Sequence, residues 1–312
     1  MARAFVFPGQ GAQTIGMGRD LAEAYPAARA VFEEVDEALG EKLSALIWEG
    51  DPEVLQLTAN AQPALMATSL AVMRALEAEG VAVTSAAFVA GHSLGEYSAL
   101  TAAGALSVSD AARLLRARGQ AMQTAVPVGV GAMAALLGLD FATVAQIADE
   151  AAGDEICAAA NDNDPAQVVV SGHLGAVERA VDLAKAKGAK RAVILPVSAP
   201  FHCLLMEPAA RAMAEALESV SINPPQVPLV ANVTASAVSE PDAIRSLLVT
   251  QVTGVVRWRE SVSWMASEGV DDIWEIGAGK ALSGMVRRIA RDVATRSILT
   301  PSDVRAAVDS LA

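Results

Sequence analysis

Cysteines, histidines and aromatic residues are scarce in this sequence. The only two cysteines among the 312 residues, Cys157 and Cys203, have no paired spacing. This excludes a disulfide scaffold and favours a reducing compartment, so we expect a cytoplasmic protein. Aromatic residues make up 4% of the chain and hydrophobic residues 53%. A core of Ala, Val, Leu and Ile favours a helix-covered parallel sheet over a β-sandwich.

Positive charge and long apolar runs are also lacking. Lys and Arg number 23 against 36 Asp and Glu, a net charge of −13. This argues against nucleic acid as a partner, because phosphate binding needs a basic surface. No stretch reaches the roughly 18 apolar residues of a membrane helix, so no membrane partner is expected. The apolar start ends at Pro8 and is too short for a signal peptide.

The sequence predicts neither a metal nor a cofactor. The three histidines are scattered, without the close spacing that zinc sites use. Residues 161–164, Asn-Asp-Asn-Asp, partly match a calcium loop, but Pro165 replaces its glycine, which favours a polar turn between two strands. The loop 9–14 resembles half of a dinucleotide fingerprint, but Thr14 stands where the third glycine belongs.

A Gly-x-Ser-x-Gly segment lies at residues 91–95, after the apolar run 86–90 and before a helix-favouring stretch. This order is typical of a nucleophile elbow, which holds a serine hydroxyl on a strained turn above a sheet. Ser93 is therefore a candidate nucleophile. The alternative is a glycine-rich connection with an unreactive serine.

The order of predicted elements indicates an α/β fold. Residues 128–196 predict the order β-α-β-β-α-β of a ferredoxin-like subdomain, inserted into a larger domain of residues 1–127 and 197–312. We expect that domain to be α/β-hydrolase-like with a parallel sheet; the alternative is that 128–196 continue its sheet. Helices are predicted over 21–39, from Pro63 to Glu79, over 107–123, and from a capping box at Ser239.

A serine nucleophile requires a base, and each histidine is a candidate. His202 is favoured because it follows an apolar strand and a proline-containing loop; His92 and His173 remain alternatives. No acid between Ser93 and His202 stands at an obvious strand end, as a hydrolase triad would require. A Ser-His pair suffices if the leaving group is a thiol, whose pKa of about 8.5 makes it easy to expel.

Several separated motifs occur along the chain in a fixed order. They are Phe7-Pro8-Gly9-Gln10-Gly11-Ala12-Gln13, Gly91-His92-Ser93-Leu94-Gly95-Glu96, Arg118, Pro200-Phe201-His202, Gln251 and Glu275-Ile276-Gly277. In this order they resemble the motifs of the malonyl-CoA:acyl carrier protein transacylases. The resemblance extends over essentially the whole chain and implies an acyltransferase acting on malonyl-CoA and holo acyl carrier protein.

The resemblance implies a role for each matching residue. Ser93 would carry the malonyl group and His202 would be its base, with the histidine oriented by a backbone carbonyl near Gln251. The remaining implied roles are an oxyanion hole from the backbone of Gln10 and Leu94, a carboxylate clamp at Arg118, and an influence of Phe201 on the choice of acyl group.

Three alternatives remain at this stage: an α/β-hydrolase-like thioesterase, a malonyltransferase of a polyketide pathway, and a non-catalytic module that binds acyl carrier protein. Because acyl carrier proteins are acidic, we expect this acidic chain to dock them on a local basic rim. The candidates for that rim are Arg113, Arg116, Lys185, Lys187, Lys190, Arg191, Lys280, Arg287 and Arg288.

Overall fold

The computed structural model describes residues 2–197 and 199–311. Ser198, in the predicted loop before His202, and the two end residues of the predicted larger domain lie outside the described residues. The strands are β1 (Ala2–Phe7), β2 (Phe88–Gly91), β3 (Gly131–Leu137), β4 (Cys157–Asp164), β5 (Gln167–His173), β6 (Arg191–Ile194), β7 (Leu229–Ala231), β8 (Ser236–Val238), β9 (Val270–Ile276) and β10 (Ala294–Ile298).

In the chain, the α-helices lie between these strands, except for the last helix, which follows β10. In space, helices pack on both sides of the first sheet. They are α1 (Arg19–Ala24), α2 (Pro26–Leu39), α3 (Leu43–Glu49), α4 (Pro52–Gln56), α5 (Thr58–Ala78), α6 (Gly95–Ala102), α7 (Val108–Thr124), α8 (Phe141–Ala152), α9 (Leu174–Ala186), α10 (Glu207–Glu218), α11 (Pro241–Gln251), α12 (Trp258–Ser267), α13 (Ala281–Ile289) and α14 (Pro301–Asp309).

A six-stranded sheet in the order β10-β9-β1-β2-β7-β8 forms the centre of the fold. Its strands are parallel except β8, which is antiparallel to β7. Side chains of β1 alternate between two apolar clusters: Phe5 and Phe7 enter one, and Ala4 and Val6 enter the other. All four are fully buried, as expected for a parallel sheet with helices on both faces. The predicted mixed α/β class with a parallel sheet is confirmed.

A second sheet contains the strands of residues 131–194, in the order β4-β5-β3-β6 with every pair antiparallel. Helices α8 and α9 connect these strands, and the sheet has a separate apolar cluster. These strands therefore do not continue the first sheet.

Two helices begin or end elsewhere than the sequence predicted. The helix predicted over 21–39 is interrupted at Tyr25, whose φ of −126° is extended, because a residue before proline avoids the helical region. The helix predicted from Pro63 begins at Thr58 and contains that proline. Tertiary burial of almost the entire α5 overrides the weak local propensity.

One further expectation about local structure is corrected. The capping box at Ser239 is absent, because α11 begins after Glu240 without a side-chain cap. Helices α3 and α4 and strand β8 were not predicted, since each is too short to show periodicity. Among the described residues, none of the helices has the length and apolar character needed to cross a lipid bilayer.

The run 161–164 is not a polar turn but the buried end of β4. Asp162 pairs with Arg259 at 2.8 Å, and Asp164 pairs with Arg288 at 2.7 Å. Asn163 contacts His92. These partners satisfy the polar groups in the interior, so the strand continues through residues that normally favour turns.

Candidate active site

Ser93 lies on the turn between β2 and α6 with a positive φ of 53°. A β-carbon on Gly91 would lie 1.9 Å from the carbonyl carbon of Gly95, and one on Gly95 would lie 2.3 Å from the carbonyl oxygen of Phe7. Both positions therefore require glycine. The serine is held in an unfavourable backbone conformation by close packing of strand against helix, as strained functional residues often are.

The side chain of Asn232, just after β7, fastens this turn. Its Oδ1 accepts a hydrogen bond from the backbone N–H of Ser93 at 2.8 Å, and its Nδ2 donates to the carbonyl oxygen of Gly91 at 2.7 Å. Asn232 is fully buried. The next strand of the sheet thus fixes both sides of the nucleophile turn.

The imidazole of His202 contacts the serine hydroxyl. Nε2 lies 2.7 Å from Ser93 Oγ, and Nδ1 lies 2.9 Å from the backbone carbonyl oxygen of Gln251. A carbonyl oxygen can only accept, so Nδ1 carries the proton and Nε2 is free to accept the serine proton. Like Ser93, His202 has a positive backbone φ, of 59°, which is unfavourable for a residue with a side chain. The histidine is oriented by backbone, without a carboxylate.

The pKa of His202 falls to about 3, chiefly because the ring is buried and secondly because Arg118 is positive. Only 4% of the residue is exposed. The folded state therefore holds this histidine neutral throughout the physiological pH range. A neutral imidazole is the form that accepts a proton from serine.

Arg118, on α7, is a buried guanidinium in direct contact with the serine. Nη2 donates to Ser93 Oγ at 3.1 Å and to Gln251 Oε1 at 2.9 Å, and Nη1 donates to Gln62 Oε1 at 2.8 Å. Burial lowers its pKa. Among the described residues it contacts amides and a hydroxyl but forms no salt bridge with a carboxylate. Its positive charge is therefore available to an anionic ligand.

A cleft of about 730 Å³ opens above Ser93. Gln10, Leu94 and Phe201 line it together with Arg118, and the second sheet supplies a wall that includes Met133. The backbone N–H groups of Gln10 and Leu94 have no acceptor within the described residues. Two free N–H donors beside a serine hydroxyl are the arrangement that an oxyanion hole requires.

The two other histidines have different surroundings. His92 points its Nε2 to Asn163 Oδ1 at 2.9 Å, and burial lowers its pKa. His173 accepts the backbone N–H of Ile156 at its Nδ1, 2.9 Å away, in the second sheet. Of the three candidate bases, the structure brings His202 to hydrogen-bond distance of the serine hydroxyl.

Sequence reasoning missed three polar residues that support the site, Gln62, Asn232 and Glu96. A long polar side chain among the buried positions of α5 was a usable signal for Gln62, and a polar residue at the end of a strand was one for Asn232. Glu96 lies in the first turn of α6; it ends the matching segment 91–96, but that match gave it no role. In the described residues, no group of three or more His, Cys, Asp or Glu side chains is placed to hold a metal.

The arrangement of a strained serine, a backbone-oriented histidine and free N–H donors is that of an acyl-transferring site. Comparison with known proteins agrees, since the family model described as an acyl transferase domain matches residues 4–297. The chain belongs to this acyl transferase family, among the malonyl CoA-acyl carrier protein transacylases.

Three relatives illustrate that similarity. The Bacillus subtilis malonyl CoA-acyl carrier protein transacylase is 47% identical over 309 residues, which cover 99% of this chain and 96% of that protein. The Bartonella henselae acyl-carrier-protein-S-malonyltransferase has a TM-score of 0.98 and 57% identity, covering 100% and 99% of the two chains. A malonyl-transacylase solved with its type II polyketide acyl-carrier protein has a TM-score of 0.96 and 42% identity, covering 99% and 100%.

Proposed function

We propose that this protein transfers a malonyl group from malonyl-CoA to the phosphopantetheine thiol of acyl carrier protein through a malonyl ester of Ser93. The observation that carries the proposal is the contact of one serine hydroxyl with both a neutral histidine and an arginine without a carboxylate partner. The names of the relatives, with identities up to 57%, support the same reaction.

In the first half-reaction, His202 Nε2 takes the hydroxyl proton while Ser93 Oγ attacks the thioester carbonyl carbon. The resulting oxyanion is held by the N–H groups of Gln10 and Leu94. The C–S bond then breaks, and the imidazolium returns its proton to the departing CoA sulfur. The Gln251 carbonyl oxygen, 2.9 Å from Nδ1, stabilises the transient imidazolium.

The second half-reaction reverses these steps with the carrier protein's thiol. His202 takes the thiol proton, the sulfur attacks the ester carbonyl, and the proton passes to Ser93 Oγ as the C–O bond breaks. Atoms and charge balance without a redox step, so we expect no cofactor and no metal. An ester that survives between the two steps requires that water be kept from attacking it.

Arg118 is proposed to bind the free carboxylate of the malonyl group. Its planar guanidinium matches a carboxylate with two parallel hydrogen bonds and stays charged despite burial. Phe201, beside the base in the cleft, is proposed to limit the volume available to branched acyl groups. Phe201→Ala should then increase the use of methylmalonyl-CoA relative to malonyl-CoA, and an unchanged ratio would remove this role.

The carrier protein is proposed to dock at a basic rim centred on Lys280, which precedes Ala281 in the wall of the cleft. Among the described residues, Lys190, Arg191, Lys280 and Arg287 form no ion pair, and Arg287 donates a hydrogen bond to Thr295. Five other candidates do: Arg113 with Asp110, Arg116 with Glu41, Lys185 with Asp182, Lys187 with Glu150 and Arg288 with Asp164.

The architecture is proposed to divide as the sequence indicated, into residues 1–127 with 197–312 and residues 128–196. The β-α-β-β-α-β order, the strand order β4-β5-β3-β6 and the separate apolar cluster support a ferredoxin-like subdomain. The serine turn after β2 supports the α/β-hydrolase-like description of the larger unit. A cytoplasmic location remains a prediction from the two cysteines, which are both free.

Intact-mass measurement tests the function directly. Incubation with malonyl-CoA should add one malonyl group to the wild-type protein and none to Ser93→Ala. Addition of holo acyl carrier protein should move that mass to the carrier. Release of free malonate at the rate of CoA formation, without transfer to the carrier, would favour the thioesterase instead.

A further inference from the structure

The carboxylate of Glu96 lies behind the nucleophile turn and has no part in the steps above. It is three positions after Ser93, in the first turn of α6, and is 1% exposed. Within the described residues it forms no salt bridge, and its hydrogen bonds come from Asn232 and Gln251. A buried carboxylate without an ion-pair partner is costly, so a role is expected for it.

Each oxygen of Glu96 receives a different N–H group. Oε1 accepts the backbone N–H of Asn232 at 2.5 Å, and Oε2 accepts the side-chain Nε2–H of Gln251. The side chain of Asn232 in turn accepts the backbone N–H of Ser93, and the side chain of Gln251 accepts a hydrogen bond from Arg118. The carboxylate thus reaches the serine turn and the arginine through one intermediate residue each.

The amide of Gln251 has its orientation set by these contacts. Its Nε2 faces acceptors, namely the carbonyl oxygen of Ser93 at 2.9 Å and the carboxylate of Glu96. Its Oε1 faces a donor, Nη2 of Arg118, at 2.9 Å. Rotation of the amide by 180° would turn its NH₂ group toward the guanidinium. Arg118 Nη2 would then lose Gln251 Oε1 as its acceptor.

We propose that Glu96 is a positioning residue for acyl-group specificity, which fixes the Gln251 amide and thereby holds Arg118 ready for a substrate carboxylate. The inference rests on the proposed function. Because Gln251 lies between Glu96 and Arg118, Glu96 acts on the guanidinium without occupying its hydrogen-bond donors. A carboxylate in direct contact with Arg118 would instead compete with the malonyl group.

The variant Glu96→Gln tests this role while preserving shape. A glutamine has one acceptor oxygen for the two N–H groups that Glu96 receives, so one of these contacts is lost and the Gln251 amide is held less firmly. We expect kcat/KM for malonyl-CoA to fall about tenfold or more, mostly through KM, because a hydrogen bond of a charged group is lost. For acetyl-CoA, which has no second carboxylate, the change should stay within about threefold.

The assay pH and the control variants distinguish a positioning role of Glu96 from a general loss of structure. Burial raises the pKa of Glu96 to about 8, so the assays are run above that pH, where the carboxylate is charged. Asp36→Asn makes the same chemical change at another buried acid, whose partners are Ser44 and the exposed Lys42. This control variant should leave the ratio of kcat/KM for malonyl-CoA to kcat/KM for acetyl-CoA unchanged. In an Arg118→Ala background, Glu96→Gln should no longer alter that ratio.

Equal losses for both acyl donors would overturn the proposal, because they would indicate a structural role only. If Glu96→Gln does not fold, Gln251→Met removes the same connection while keeping the backbone carbonyl that orients His202, and it should lower the ratio likewise. An unchanged ratio in that variant would also overturn the proposal. Failure of the proposed function is distinguishable, because the wild-type protein would then not pass the malonyl group to acyl carrier protein.

Discussion

The Nδ1–H of His202 donates to the backbone carbonyl oxygen of Gln251 at 2.9 Å. The orienting group is thus part of the peptide chain and carries no full charge. A carboxylate in that place would stabilise the imidazolium more strongly and raise the pKa of the histidine. A weaker base is adequate here, because the leaving group of the first half-reaction and the nucleophile of the second are both thiols, which ionise more readily than alcohols or amines.

Removal of the base should abolish rapid acylation. We expect His202→Ala to lower the rate of malonyl-serine formation by about 10²- to 10⁴-fold, the usual contribution of a general base. Time-resolved intact mass measures this rate. His173→Asn, in the second sheet and away from the serine, is the matched control and should acylate at the wild-type rate. Comparable losses in both variants would remove His202 from the role of base.

The reactivity of Ser93 should be insensitive to mild acid. The pKa of His202 is lowered to about 3, so the ring stays neutral as pH falls from about 8 to about 5, where an ordinary histidine would be protonated. Labelling by a neutral serine-directed phosphonate should therefore have a constant rate over this range. A rate that falls with a midpoint near 6.5 would show that the imidazole has an ordinary pKa.

The lowered pKa of His202 also makes the free energy of unfolding depend on pH. The unfolded chain binds a proton at its histidine below about pH 6.5, whereas the folded chain resists protonation until about pH 3. Stability due to this group is thus full above pH 6.5 and decreases as pH falls toward 3. Thermal melts should show a weaker acid sensitivity in His202→Asn than in the wild-type protein, and parallel pH profiles would contradict the assignment.

Loss of the guanidinium should change which acyl group is accepted. We expect Arg118→Ala to lower kcat/KM for malonyl-CoA by about 10²-fold, because a charge-assisted pair is lost, and to affect acetyl-CoA much less. Arg113→Ala on the same helix removes an arginine that is exposed and paired with Asp110, and should change neither value. Unaltered discrimination in Arg118→Ala would eliminate the carboxylate clamp.

Charge reversal near the mouth of the cleft should affect the carrier protein selectively. Lys280→Glu should raise KM for holo acyl carrier protein about three- to tenfold, with little change for malonyl-CoA, since surface charges act on association. The effect should shrink at high salt. Lys185→Glu alters a lysine already paired with Asp182 on α9 and is the control. Equal effects on both substrates would argue against docking at Lys280.

The reactive serine was accessible to sequence reasoning because its geometry is local. Gly91 and Gly95 are required by contacts within a few residues or with the neighbouring strand, and their spacing is visible in the chain. With three histidines in the sequence, the base could be ranked as well. The orienting carbonyl of Gln251 could not be derived from composition or spacing, because every residue carries one; the family resemblance indicated its neighbourhood.

The residues that sequence reasoning misinterpreted or missed have one feature in common: their structural roles depend on contacts with distant segments. The run 161–164 has turn-forming composition, yet it is strand because Arg259 and Arg288 lie opposite its aspartates. Gln62, Asn232 and Glu96 are ordinary polar residues until the fold brings them to Arg118 and Ser93. Pairings over such sequence separations depend on strand order and register, which local preferences do not determine.

The sequence by itself determined the α/β class, the elbow that carries Ser93 and the shortage of alternative bases, because glycine spacing, hydrophobic pattern and residue counts act locally. The tertiary structure decided that β1, β2 and β7 are adjacent, which places Asn232 against the serine turn. It also decided that Nε2 of His202 meets a hydroxyl 109 positions away, and that Arg118 is buried among amides. Those relationships arise from packing of distant segments, which creates a low-dielectric cleft where one unpaired charge can select a substrate.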